Sequence, residues 1–296
     1  MGVKRLIRKM AKLVLSSSPE KHVTVQIARV SVGSLLEGRR IVVTGGGKGI
    51  GFAMAKRFAS EGALVCISGR HEAALRKACS DIGPAASFVV SDIREAECAS
   101  RFLDECEQCL GGPIDSLVAN AGVSLHEGHF SKVTTESFDI QFETNLRGTY
   151  FLSTEFLSTE FLQRCLRAKD PKGNLLIVTS ETGEQAYDTP YGMTKAAMDS
   201  FVRAASRRVY RVTDGEMRVN AIAPGVTLSA MTAEYASASD GNLYRDCASG
   251  RIFLPEEVAE VALFLLSDSS KCISGEVVHT NAGNHIKTFW DRVEDE

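Results

Sequence analysis

No stretch of the 296-residue chain approaches the ~18 consecutive apolar residues of a membrane-spanning helix. No secretory leader is expected either. Lys9 and Lys12 interrupt the place where its apolar stretch belongs, and Pro19 closes the segment without an A-x-A site. The eight cysteines show no regular spacing, and a chain of this length needs no disulfide staples, so reduced thiols and a cytoplasmic location are expected. Cys106 and Cys109 form a lone CxxC with no second pair and no thioredoxin-like context, which points away from zinc or redox work. The net charge of −3 gives no whole-chain argument for nucleic-acid binding.

What is present suffices for a folded domain. Hydrophobic residues make up 44% of the chain, and its length suits one large domain or two small ones. Charge is uneven: Lys4, Arg5, Arg8, Lys9 and Lys12 crowd the start with no acid among them. Val3, Leu6, Ile7, Met10 and Val14 follow helical spacing, so residues 3–14 read as an amphipathic helix with a basic face. Such a helix either lies on an anionic inner-membrane surface as a weak peripheral contact or packs on the protein body. The expected organisation is an extension over 1–35, one domain over 36–286 and an acidic tail over 287–296.

From residue 40 short β-branched runs alternate with helical patterns. Strands are expected at 41–44, 63–68, 87–91, 116–119, 174–179, 217–223 and 275–280. Helices are expected near 49–61, 72–82, 94–110, 134–167, 190–213 and 255–267. Strict alternation predicts an α/β fold: a doubly wound, Rossmann-like parallel sheet with helices on both faces. Ligands of such sheets bind beyond the carboxyl ends of the strands. The pentapeptide FLSTE occurs at 151–155 and again at 156–160, which spreads apolar residues around the helix and predicts burial on more than one side.

The first strand runs into Thr44-Gly45-Gly46-Gly47-Lys48-Gly49-Ile50-Gly51 and then a helix. Glycines allow the tight turn, and the helix amides and dipole favour a pyrophosphate. The second strand ends Ile67-Ser68-Gly69-Arg70, without the carboxylate that NAD readers place there. Arg70 and Lys48 suit a 2′-phosphate, so NADP(H) is expected over NAD(H), with Glu72 assigned to the first turn of the next helix. Downstream come Ser91-Asp92-Ile93, Leu117-Val118-Ala119-Asn120-Ala121-Gly122, Asn145, Ser180, Tyr191-Gly192-Met193-Thr194-Lys195 and Pro224-Gly225-Val226-Thr227. YxxxK places its two side chains on one helical face, one turn apart.

These segments, in this order over about residues 36–286, resemble the short-chain dehydrogenase/reductase family. Ala119 stands where relatives carry the first asparagine of NNAG, Thr227 where they often carry an apolar residue, and the Ser180–Tyr191 interval is somewhat short. The resemblance implies catalysis by Asn145, Ser180, Tyr191 and Lys195. Cofactor contacts are implied for Gly45, Lys48, Gly49, Ile50, Gly51, Arg70, Asp92, Asn120, Gly122, Tyr191, Lys195, Pro224, Gly225 and Thr227. Asp92 would meet the adenine, Asn120 would stabilise the sheet, and Gly122 would let the cofactor lie close. Reducing a carbonyl needs a proton on oxygen, and a nearby ammonium lowers the pKa of a tyrosine hydroxyl. Tyr191 is therefore expected as acid and base, with Lys195 lowering its pKa, Ser180 holding the substrate oxygen and Asn145 holding a water that links Lys195 to solvent.

The expected activity is NADP(H)-dependent interconversion of a carbonyl and a secondary alcohol. The alternatives are an epimerase or dehydratase on the same cofactor site, or a non-catalytic NADP(H)-binding sensor or scaffold. By the same resemblance the substrate pocket borders Ser124–His129, Glu184–Tyr187 and residues 229–250. His126, Gln185, Tyr187, Tyr235, Tyr244 and Arg245 there suit a polar or hydroxylated small molecule. His126 and His129 lack a third ligand in view, so no metal is expected. A homodimer or homotetramer is expected through the helix before Ser180 and the helix carrying Tyr191.

Overall fold

The computed structural model describes residues 34–158, 173–229, 231–232 and 249–286. The expected helix over 3–14, the end of the second FLSTE copy, Tyr235, Tyr244, Arg245 and the tail over 287–296 lie outside the described residues.

Seven strands form one sheet: β1 (Arg40–Thr44), β2 (Leu64–Gly69), β3 (Ala86–Val90), β4 (Ser116–Ala119), β5 (Gly173–Val178), β6 (Met217–Pro224) and β7 (Val277–Thr280). Their order is β3-β2-β1-β4-β5-β6-β7, and every pairing is parallel. The helices between them are α1 (Gly49–Ala59), α2 (Glu72–Ile82), α3 (Ala99–Leu110), α4 (Thr135–Gln141), α5 (Thr149–Phe156), α6 (Pro190–Val212) and α7 (Pro255–Leu266). This is the Rossmann-like arrangement expected. Proline stands at the first position of α6 and α7, where its missing N–H costs no helical bond. Glu257 seals the start of α7 by accepting from the Leu254 amide at 2.8 Å.

Because both sheet faces are covered, β1, β2, β4 and β5 carry apolar runs rather than alternating ones, and β6 is buried throughout although it holds Arg218 and Asn220. Alternate side chains feed two cores. Val42, Cys66, Leu117, Leu175 and Val219 face α3, α5 and α6, packing with Phe102, Phe156 and Met198. Ile41, Val43, Ile67, Val118 and Leu176 face α1, α2 and α7, packing with Met54, Phe58, Leu75 and Leu263. Each large apolar side chain so buried contributes roughly 1.5–3 kcal/mol.

The helix expected over 134–167 differs in form. α4 passes into a π-helical stretch, Phe142–Gly148, before α5 resumes and ends at Phe156. The helix expected from 94 starts as one 3-10 turn, Ala96–Cys98, and becomes α-helical only at Ala99. Among the described residues no helix is long and apolar enough to cross a membrane.

One polar knot joins α1 to α7 at the amino edge of the sheet. Arg57 is buried, donates from Nε to Glu260 Oε1 at 2.7 Å and pairs through Nη1 with buried Glu61. Glu61 also accepts from the Leu35 amide at 3.2 Å, which tethers the lead-in to β1. Removing one member of such a group strands a buried charge. Arg57→Leu is expected to cost about 3 kcal/mol in urea unfolding, with part recovered on adding Glu61→Gln. A loss too small to measure, or no recovery in the double variant, would contradict this account.

Candidate active site

Strand order reverses between β1 and β4, and that is where a doubly wound sheet opens a crevice at its carboxyl edge. A cleft of about 340 Å³ lies there, walled by Gly45, Lys48, Arg70, Asp92 and Gly122 together with Ile93, Val123 and Thr144. The glycine turn is shaped by close approach. Gly45 has φ +66°, and a Cβ on Gly51 would fall 2.5 Å from both Asn120 Nδ2 and Gly45 O. Asn120 fills the space so created: its Nδ2 donates to Thr44 O at 2.9 Å and Gly45 O at 3.3 Å. Thr44 Oγ1 in turn accepts from the Asn120 and Ala121 amides, each at 3.0 Å. Asn120 and Gly51 thus brace the cleft from behind.

α1 starts at Gly49 with no side-chain cap, so its first amides and dipole face this turn. At the β2 edge Arg70 is exposed and Lys48 lines the same cleft. Glu72 opens α2 and pairs with Arg76 at 2.5 Å, as its assignment to that helix required. Arg94 grips Asp92 with Nε at 3.0 Å and Nη2 at 2.6 Å. Those bonds hold the Asp92 carboxyl below the usual carboxylate range.

The second group of residues adjoins the cleft at Gly122. A Cβ there would lie 3.3 Å from Asn145 Oδ1 and 3.5 Å from Lys195 Nζ. Asn145 sits in the π-helical stretch, buried, and clamps Val123: Oδ1 accepts from its amide at 2.8 Å and Nδ2 donates to its carbonyl at 2.7 Å. Thr194 Oγ1 lies 3.4 Å from the same Nδ2. Lys195 is buried on α6 and donates to Val178 O at 2.9 Å. Its Nζ is 5.5 Å from the centre of the Tyr191 ring. Ser180 stands just beyond β5, with Oγ accepting from the Thr182 amide at 3.3 Å.

The expected depression of the Tyr191 pKa is not what the structure gives. Burial pushes the phenol up to about 12, against the opposing hydrogen bond from Ser180. Lys195 directs its hydrogen bond to Val178 O, and the charge of nearby Glu181 adds to the loss of water in raising the phenol. Burial also pulls Lys195 down to about 8, with Asp199 opposing.

Pro224, Gly225 and Thr227 stand apart from the wall of the cleft. Thr227 is buried with its hydroxyl donating to Gly225 O at 2.9 Å. A Cβ on Gly225 would lie 2.7 Å from Asn281 Cβ and 3.3 Å from Glu181 Oε2. The loop does reach back to the glycine turn, since a Cβ on Gly49 would come within 3.5 Å of Ser229 Cβ. Gly128, Ala186, Tyr187, Asp188 and Thr189 border a separate shallow pocket between two of the expected substrate loops.

Two buried acids escaped the sequence reading. Glu181, next to Ser180, accepts from Asn281 Nδ2 at 2.8 Å and Asn284 Nδ2 at 3.1 Å, tying the end of β7 to the serine turn. Nothing local to Glu181 announces partners a hundred residues away. Asp199 lies one helical turn beyond Lys195, under the Glu181–Gly183 turn, and burial pushes it up to about 6. Its i+4 spacing from Lys195 was a usable signal. Glu181→Gln turns one acceptor into a donor facing two amides. It is expected to cost on the order of 2 kcal/mol and to speed amide hydrogen exchange at 281–286. Unchanged exchange there would show that the clasp does not hold the segment.

Known proteins resemble this chain in sequence and in fold. A family model described as enoyl-(acyl carrier protein) reductase matches residues 45–285. A 3-oxoacyl-[acyl-carrier-protein] reductase of Chlamydia muridarum is 31% identical over 260 residues, covering 84% of this chain and 98% of the relative. A short-chain dehydrogenase/reductase of Aspergillus aculeatus is 31% identical over 268 residues, covering 84% of this chain and 96% of the relative. Among solved structures, a 3-ketoacyl-(acyl-carrier-protein) reductase from Brucella melitensis complexed with NADH superposes with a TM-score of 0.75 at 27% identity, covering 85% of this chain and all of that one. The chain belongs to the short-chain dehydrogenase/reductase family and is an oxidoreductase of that class.

Proposed function

We propose that the protein interconverts a carbonyl and a secondary alcohol on a small molecule with NADP(H), using Tyr191 as the acid and base. The observation that carries this reading is the meeting of Asn145 and Lys195 at Gly122, the point where a Cβ-free wall joins the cleft to the Tyr191 helix. The cleft fits a dinucleotide: glycines open one wall, the uncapped start of α1 offers amides to a pyrophosphate, and Lys48 with Arg70 supplies cations for a 2′-phosphate. The nicotinamide, when bound, supplies or accepts the hydride.

The chain's own residues handle position and proton. Ser180 and Tyr191 share a hydrogen bond and together receive the substrate oxygen. A phenol held protonated by burial is ready to donate as negative charge develops on that oxygen. Lys195, still largely an ammonium at pH 7 with its pKa near 8, then stabilises the phenolate left behind. Asn145, fixed on Val123, offers a lone pair to a water on the path that returns the proton. Tyr187 and the neighbouring pocket suit a polar substrate. Assembly as a homodimer or homotetramer is part of the proposal, supported by Tyr150 and Phe151 standing exposed on α5 at 41% and 47%.

Tyr191→Phe is expected to lower the reduction rate by about 10²–10⁴-fold while the dissociation constant for NADPH stays unchanged. A near-normal rate on a substrate that the wild type reduces would refute the assignment. Arg70→Asp is expected to weaken NADPH by about tenfold or more while leaving NADH nearly untouched, because only the former carries the phosphate. Fluorescence titration with both cofactors reads this directly. An unchanged preference would remove Arg70 as the reader.

A further inference from the structure

We propose that Glu184, His279 and His285 form a site for one late first-row divalent cation of the zinc class. Three separate segments supply the ligands. Glu184 follows the short turn after Ser180, His279 lies in β7, and His285 lies in the turn beyond it. One ligand atom from each falls within 4.8 Å of the other two. Two imidazoles and one carboxylate suit zinc rather than magnesium or calcium, which prefer all-oxygen shells.

Two details single this cluster out. His279 Nε2 is buried without a hydrogen-bond partner, yet it stands 3.4 Å from Glu184 Oε2. Zinc bonds to nitrogen and oxygen run about 2.0–2.1 Å, so two ligands at a tetrahedral angle lie about 3.4 Å apart. The gap is long for a hydrogen bond and matches the edge of a coordination tetrahedron. His279 is half-buried and Glu184 exposed; with the His279 hydrogen on Nδ1, the Nε2 lone pair and the carboxylate oxygen face each other, an arrangement that a cation between them satisfies.

The surroundings orient the other two ligands. His285 Nδ1 lies 3.1 Å from Asn281 Oδ1, an atom that only accepts, so Nδ1 carries the hydrogen and Nε2 keeps its lone pair. Asn281 is itself held by Glu181 at 2.8 Å. Arg203 Nη2 occupies Glu184 Oε1 at 2.5 Å and leaves Oε2 for the ion. The His279 and His285 rings are stacked at 3.6 Å and 12°, so their in-plane lone pairs run side by side. Binding therefore requires the His285 ring to turn out of the stack toward Glu184.

The test uses the full-length protein under reducing conditions, titrated with Zn2+ by calorimetry and with Co2+ by visible absorption. One ion per chain is expected, with a cobalt spectrum free of thiolate charge transfer and a zinc-edge X-ray absorption shell of nitrogen and oxygen only. His285→Ala, in a surface turn, should weaken binding by about tenfold or more, and His279→Gln likewise, while both variants keep their circular dichroism. Should His279→Gln fail to fold, Glu184→Gln takes its place with the same expected loss. The proposal is overturned by the absence of uptake of either ion, by sulfur in the shell, or by affinity unchanged in His285→Ala. It is also overturned if His279 NMR shifts report only a proton shared with Glu184 and no response to zinc.

Discussion

The side-chain amide of Asn120 is the contact on which the ligand end of this molecule depends. A parallel sheet leaves the carboxyl ends of its strands as loose loops, and the two central ones part company where the strand order reverses. Asn120 bonds across that gap to the carbonyls of Thr44 and Gly45 while Thr44 answers with its hydroxyl. The bond forms only because Gly51 has no Cβ in the way. Glycine turn, α1 start and the approach to Gly122 are thus one piece rather than three adjacent loops.

The end around Ser180 and Tyr191 is built differently, from burial of charge. Lys195, Asp199 and Glu181 all lie within eight residues of Ser180 or Tyr191 in sequence, and all are buried. Charged groups in such a place move toward their neutral forms unless partners hold them. Lys195 and Asp199 shift toward each other for that reason, one down and one up, and Tyr191 follows the same rule. Glu181 accepts hydrogen bonds from two asparagine amides brought from the far end of the chain.

Legibility in the sequence followed the range of the interaction. Strand and helix positions came from period and turn residues within a dozen positions, and the sheet from their alternation. The glycine turn and YxxxK were equally local. The Tyr191 shift was misjudged because a motif shows which charge is near but not how much water is lost. The cluster of Glu184, His279 and His285 was invisible because its members meet only after β7 is laid beside β6. His126 and His129, close in sequence, bond separately to Met231 O and Ser131.

The π-helical stretch over Phe142–Gly148 sets a limit on how this chain can vary in length. A π turn amounts to one extra residue in an α-helix, and each residue advances the helix by about 100°. Upstream, Gln141 is buried against Glu127; downstream, Leu152 and Phe156 enter the core; between them Asn145 points at Val123. Loss of one residue would restore an ordinary helix and turn one flank by that angle, so either the core face or Asn145 would leave its place. The surplus residue therefore works as a phase adjuster, and the segment from 135 to 156 tolerates changes of residue far better than changes of count.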